Sequence, residues 1–152
     1  MVTGQYNAYV WWGEFGQSVG SCGTAAGTCG LVDHAGTLQP MGFVFGQYSK
    51  FVLPGYKRAS ATTSPTAGVY VSAYTGTENS TQHYVIVAIN TSTTTAQSVT
   101  FTLNNANGIT SMTPWQSTSA TSGLVQGTAV PVTAGGQVTV SLPVSSITTL
   151  EY

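Results

Sequence analysis

Four carboxylates and two histidines supply nearly all the acid–base chemistry of this 152-residue chain. Two carboxyls in one site can divide acid and base work between them. Glu14 and Asp33 make the one pair the sequence offers for that work. Glu14 follows an aromatic stretch, and Asp33 lies in Val32-Asp33-His34-Ala35-Gly36, which reads as a turn. Solvated loop carboxylates are the default reading of both. Glu78 falls at an expected hairpin tip, and Glu151 is next to last. His34 and His83 have no partners at ligand spacing, so no metal site is expected. A Ser-His-Asp triad is a spatial arrangement, but no Gly-x-Ser-x-Gly elbow is present to suggest one. The stretch from Gly13 to Gly30 lacks both Gly-x-Gly-x-x-Gly spacing and a phosphate lysine, so no cofactor is expected.

Stacking is the other chemistry on offer. Trp11 and Trp12 close Tyr6-Asn7-Ala8-Tyr9-Val10-Trp11-Trp12, and Trp115 lies in Thr113-Pro114-Trp115-Gln116. An indole can lie on the C–H face of a sugar ring and bury apolar surface with no charge. Strand alternation sends neighbouring residues to opposite faces, so one of Trp11 and Trp12 belongs to a core. Trp115 reads equally as a sugar platform and as a core anchor. Tyr70, Tyr74 and Tyr84 read as packing or cross-strand pairs.

Charged residues are 5% of the chain, three basic and four acidic. Without a basic patch to neutralise phosphates, nucleic-acid binding is not expected. No cationic amphipathic stretch suits a membrane surface, and no apolar run approaches a span. Abundant Thr and Ser with 18 Gly replace charge as the source of solubility, a pattern typical of secreted all-β proteins that handle neutral polymers. Cys22 and Cys29 enclose six small residues. Their spacing favours a disulfide, and with it an oxidising, extracellular compartment; two buried free thiols are the alternative. Met1-Val2-Thr3-Gly4 has neither the basic start nor the apolar core of a signal peptide.

Several elements must position these residues. Residues 5–12 read as a strand with apolar residues on both faces, and residues 13–39 as a long Gly-rich loop. Met41, Val44, Phe45, Tyr48, Phe51 and Val52 recur at helical spacing, predicting a helix over 40–52 with Pro40 at its start and Pro54-Gly55 beyond its end. From Tyr56 the period becomes two. Strands are expected near 69–74, 84–89, 99–103, 109–115, 130–132, 138–142 and 147–150. Turns are expected at Thr75-Gly76, Asn104 to Gly108, Ser122-Gly123 and Ala134-Gly135-Gly136. The expected fold is mainly β: an antiparallel β-sandwich over 56–152, preceded by a strand–loop–helix segment over 1–55. Asn79-Ser80-Thr81 and Asn90-Thr91-Ser92 are formal glycosylation sequons.

Several stretches together resemble glycoside hydrolase family 30, on its xylanase side. They are Ala8-Tyr9-Val10-Trp11-Trp12, Gly46-Gln47-Tyr48-Ser49-Lys50-Phe51 with Pro54-Gly55-Tyr56, Val69-Tyr70-Val71-Ser72-Ala73-Tyr74, Val85-Ile86-Val87-Ala88-Ile89-Asn90 and the ending Ser141-Leu142-Pro143-Val144. The resemblance implies the C-terminal part of such an enzyme: the last βα unit of a (β/α)8 barrel, at residues 5–12 and 40–52, then the side sandwich. It implies Trp11 or Trp12 beside a sugar cleft and xylan or a related β-glycan as partner. Family members retain anomeric configuration with two glutamates that do not map onto this sequence. Such hydrolysis needs two carboxyls about 5–5.5 Å apart. Relatives that demand a glucuronate branch carry arginine just after the paired tryptophans. Here Gly13-Glu14-Phe15-Gly16 follows, with no guanidinium to grip a carboxylate.

Three readings follow: a carbohydrate-binding accessory module, a glycan hydrolase acting through Glu14 and Asp33, and a structural side domain that binds no sugar. A strand taken out of a barrel would expose its edges, which predicts a tendency to dimerise through residues 5–12.

Overall fold

The computed structural model describes residues 31–32, 38–105, 108–118 and 123–152. Among the described residues one helix, α1 (Pro40–Ser49), precedes nine strands: β1 (Lys57–Ala59), β2 (Val69–Glu78), β3 (Thr81–Asn90), β4 (Gln97–Thr102), β5 (Ser111–Thr118), β6 (Val125–Gln126), β7 (Val130–Pro131), β8 (Gln137–Leu142) and β9 (Ser146–Glu151). All strand pairs are antiparallel. A large sheet runs β1-β2-β3-β9-β5-β6, with β7 also paired to β5, and a small sheet pairs β4 with β8. The expected mainly-β, antiparallel fold is what forms.

The long hairpin β2–β3 sets the register. Its ten pairs run from Val69↔Asn90 to Glu78↔Thr81. Asn79 and Ser80 close it with φ of 48° and 67°, the left-handed pair that matches the twist of a two-residue hairpin. The turn expected at Thr75-Gly76 is therefore displaced to Asn79-Ser80, and Gly76 lies inside β2. It is there for close approach: a Cβ at Gly76 would run into the ring of Tyr56. The aromatic sits across the glycine and covers the bare backbone.

The large sheet is buried on both faces. Val69, Val71, Ile86, Ala88, Met112 and Leu150 face the small sheet and meet Val99, Val138, Val140 and Leu142. Tyr74, Val85, Val87 and Ile147 face the other way and meet Phe51. This explains the unbroken apolar run in β3, since a strand covered on both sides loses its alternation. Pro114 sits in mid-strand where the partner of β5 changes from β7 at Met112 to β6 at Trp115. Such a break tolerates a residue without an N–H.

The helix differs from its expected form. It ends at Ser49, with Lys50 as its C-cap. Its buried residues are Phe43 and Gln47, while Val44 is 40% exposed. The segment Met41-Gly42-Phe43-Val44-Phe45 is apolar all round, so its pattern does not select a face. Gln47 does, by docking onto the sheet.

Asn90 fixes the far end of the hairpin. Its buried Nδ2 donates to the carbonyls of Thr95, Leu142 and Pro143 at 3.0, 3.1 and 2.9 Å, and its Oδ1 accepts from Ser92 N at 3.0 Å. Two connections, β3–β4 and β8–β9, converge on one amide. With its side chain buried and fully bonded, Asn90 offers no room for a glycan in the folded chain. Asn79, exposed at the hairpin tip, does.

Candidate functional site

Trp115 anchors the face of the large sheet that meets the helix. Strand β5 points it toward Phe51, with ring centroids 5.5 Å apart and planes inclined 45°. The ammonium of Lys50 lies 3.8 Å from the indole centroid, within cation–π range. The indole N–H donates to Glu151 Oε1 at 2.7 Å, a short, charge-assisted bond. Glu151 reaches it from β9, where it pairs with Thr113. A cation on the ring and an anion at its N–H hold the indole between them. Lys50 also sits at the C-terminal end of α1, where the helix dipole favours positive charge.

One turn earlier the helix is held by polar bonds. Gln47 is wholly buried; its Nε2 donates to Ser117 Oγ at 2.9 Å, and Ser117 Oγ donates to Gly123 O at 2.9 Å. The hydroxyl of Thr149 donates to the Gln47 carbonyl at 3.1 Å. Gln47 Oε1 has no partner among the described residues. Tyr48 lies edge-on to Tyr74, with centroids 6.4 Å apart, and its hydroxyl is 3.4 Å from Ser72 Oγ. Burial raises the Tyr48 phenol above its ordinary value, more than the Ser72 bond lowers it. Tyr56 stands over Gly76 with His83 beside it, the two rings 6.4 Å apart.

Of the sequence-predicted site residues, Trp115 is placed as described. Trp11, Trp12, Glu14, Cys22, Cys29 and Asp33 lie outside the described residues, as do His34 and the expected strand over 5–12. Glu78 ends β2 beside the hairpin turn, as expected. Glu151 is not a spare carboxylate but the partner of Trp115. Among the described residues no three His, Cys, Asp or Glu gather as metal ligands. Gln47, Lys50 and the Tyr56–Gly76 contact had not been singled out. A glycine within a strand pattern was the visible signal for the last; Gln47 and Lys50 gave none, because their partners lie far along the chain.

The geometry defines a class first: an antiparallel β-sandwich with a helix packed on its larger sheet by aromatic and amide contacts. No family model matches the chain. Over 149 residues it is 38% identical to the glucuronoxylanase XynC of Bacillus subtilis (strain 168), covering 98% of this chain and 31% of that protein. Its fold matches a family 30 endoxylanase from Clostridium papyrosolvens C71 with a TM-score of 0.69 at 42% identity, over 77% of this chain and 28% of that one. It also matches the family 30, subfamily 8 xylanase Xyn30A of Clostridium acetobutylicum, with a TM-score of 0.71 at 34% identity, over 81% and 30% of the respective chains. The chain is thus homologous to part of the family 30 xylanases, as the resemblance to their C-terminal part implied. It spans about a third of the length of the curated relatives it matches. No helix among the described residues is long and apolar enough to cross a membrane.

Proposed function

We propose that this chain is a carbohydrate-binding accessory module of a xylanase-like glycoside hydrolase. It contacts neutral β-glycan of the xylan type through Trp11, Trp12 and Trp115 and does not itself supply the glutamate pair that cleaves it. The observation that carries this reading is the 38% identity to a glucuronoxylanase along 98% of the chain. The near absence of charge agrees with a neutral ligand. The missing arginine after Trp12 argues that a glucuronate branch is not what the module reads. The segment 1–55 is the barrel-derived part and 56–152 the sandwich. The module works outside the cell, with Cys22 and Cys29 joined, and pairs with a second copy through residues 5–12.

Calorimetric titration with xylohexaose and cellohexaose tests the function, with reducing ends assayed on the same samples. Binding without release of reducing ends is the expected result. Release would move attention to Glu14 and Asp33, where a double alanine variant must then abolish turnover. Intact mass with and without reductant reports on the disulfide. A monodisperse monomer in sedimentation at high concentration would rule out the pairing.

A second reading, a structural side domain without sugar binding, is favoured by the contacts of Trp115. Its ring carries Lys50, packs on Phe51 and spends its N–H on Glu151. On that reading Trp115→Ala lowers stability and leaves any oligosaccharide affinity of the folded fraction unchanged. The module reading has it lower both.

A further inference from the structure

Strand β9 is the last of the described strands in chain order, yet it lies inside the large sheet. It pairs with β3 from Asn90↔Ser146 to Val85↔Glu151 and with β5 from Thr118↔Ser146 to Thr113↔Glu151. Ser146 to Leu150 are all buried. Ile147 packs on the helix side and Leu150 on the small-sheet side. Thr149 and Glu151 add the bonds to the Gln47 carbonyl and the Trp115 indole. Without β9, strands β3 and β5 would each turn a bare edge to one slot. Only a strand that registers with both edges fills it.

The link to that strand is short and strained. β8 belongs to the small sheet and β9 to the large one, so Pro143-Val144-Ser145 must carry the chain from one layer to the other. Ser145 does so with φ at 45°, a left-handed conformation that costs free energy in any residue bearing a Cβ. Val144 is exposed. Asn90 holds the carbonyls of Leu142 and Pro143, which confines any opening to Val144 and Ser145. Two bonds oppose that opening: Ser145 N–H to Ser92 O at 2.8 Å, and Ser146 Oγ to Pro143 O at 2.7 Å.

We propose that β9 exchanges between two copies of this chain, each filling the slot of the other, with Val144 and Ser145 as the hinge. The contacts of β9 with β3, β5 and α1 are the same whichever chain supplies it, so they do not choose between monomer and dimer. The hinge chooses. Opening it gives up the two bonds, which water can replace, and releases Ser145, the kind of strain in a short hinge that invites exchange. Gain and loss are both small beside the contacts of β9, so concentration selects the state. Because both neighbours lock β9 in place, exchange occurs during folding. In the dimer, the carboxylate that accepts from the Trp115 indole comes from the other copy, so each candidate site is built from two chains. This exchange is independent of sugar binding and of the pairing through residues 5–12.

The test uses Ala88 and Thr148, which oppose each other in register and are both buried. Full-length Ala88→Cys and Thr148→Cys chains are unfolded together, refolded at rising concentration and oxidised. Expected is a covalent heterodimer joined between positions 88 and 148, identified by peptide mass, whose share rises with concentration. In unexchanged bodies the two cysteines are buried in separate chains and cannot meet. One chain carrying both substitutions should close the same link internally at low concentration. Ser145→Gly should lower the dimer association constant about tenfold, because glycine adopts positive φ without strain. If a cysteine variant does not fold, the unsubstituted chain refolded from labelled and unlabelled copies should show nuclear Overhauser contacts between Ala88 of one copy and Thr148 of the other. A monomer at every concentration would overturn the proposal. So would a dimer lacking the 88–148 contact, which would place the interface elsewhere and leave the pairing through residues 5–12 standing.

Discussion

The large sheet has two buried faces made from different materials. Toward the small sheet it presents Val71, Ile86, Ala88 and Leu150, which meet Val138, Val140 and Leu142. Toward the helix it presents Tyr74, Val85, Val87, Ile147 and Trp115, meeting Tyr48, Phe51 and Tyr56. The first face is packed mainly by shape, with directed bonds from Asn90 and Gln116 to the carbonyls of Leu142 and Ser141, and its buried Thr148 hydroxyl has no partner among the described residues. The second is crossed by directed contacts: Gln47 to Ser117, Thr149 to the Gln47 carbonyl, Trp115 to Glu151. Apolar contact fills space but fixes position loosely, whereas hydrogen bonds demand particular atoms. The helix, apolar all round, needs that second kind of contact to settle in one orientation.

The comparison is broken most forcefully on the aliphatic face. Leu142 is fully buried between the sheets. Leu142→Ala should cost about 2–5 kcal/mol, the range for a core leucine that leaves a cavity. Chemical denaturation read by far-UV circular dichroism measures it. A loss below 1 kcal/mol would mean that this face collapses around the gap and is far looser than its burial suggests.

On the helix face the next largest effect belongs to Gly76→Ala. The added methyl must push Tyr56 off the strand, separating it from His83 and from the aromatic cluster. About 1–3 kcal/mol should be lost, as for overpacking elsewhere. Adding Tyr56→Ala to Gly76→Ala should then cost less than Tyr56→Ala alone, because the clash has gone. Full additivity in this double-mutant cycle would show that ring and glycine do not depend on each other.

How much of this was legible follows from the same contrast. The aliphatic face could be read because Val69, Val71 and Ala73 alternate and because period two needs no knowledge of distant residues. Strands β2, β3, β4, β8 and β9 stand close to where their residues placed them. The two-residue strands β6 and β7 have too few positions to show a period, and only β7 was expected. The helix was legible from Pro40 onward, but its buried face was not. Spacing puts Val44 on the helical face, yet it is 40% exposed, while the polar Gln47 is buried. The deciding partners, Ser117 and Thr149, lie 70 and 102 residues further on. Trp115 could be named as a candidate, yet nothing near it in sequence announced Lys50 above its ring or Glu151 at its N–H.

Gln47→Met sharpens the contrast with a smaller effect. The variant keeps the volume, loses one hydrogen bond to Ser117 and removes the unpartnered Oε1 from the interior. Ser117 still donates to Gly123, and Thr149 still bonds the backbone carbonyl at 47. A lost bond costs about 1 kcal/mol, and a buried orphan acceptor costs a similar amount to keep, so the net change should stay within about 1 kcal/mol of zero. A loss of several kcal/mol would mean that Oε1 has a partner after all, for which a bound water is the natural choice.

The smallest effect is alkaline and belongs to the helix face alone. Desolvation lifts the Tyr48 phenol above its ordinary value of 10.0, and Tyr74 pushes the same way, while Ser72 and Arg58 act against them. The unfolded chain begins to release this proton near pH 10, whereas the folded chain holds it to higher pH. Between those two points the unfolded state binds fewer protons, so stability falls as pH rises. The contribution is complete below pH 10 and is lost as pH climbs through the folded value. Tyr56 adds a slope of the same sign, raised by desolvation and then by Glu78 and Glu151. Tyr48→Phe should therefore flatten the curve above pH 10 without levelling it, while changing little at pH 7, where only the long contact to Ser72 is lost. Denaturant midpoints taken across the alkaline range check this. An unchanged slope in Tyr48→Phe would mean that the hydroxyl reaches water, and that the helix face is less dry at Tyr48 than at Gln47 one position before it.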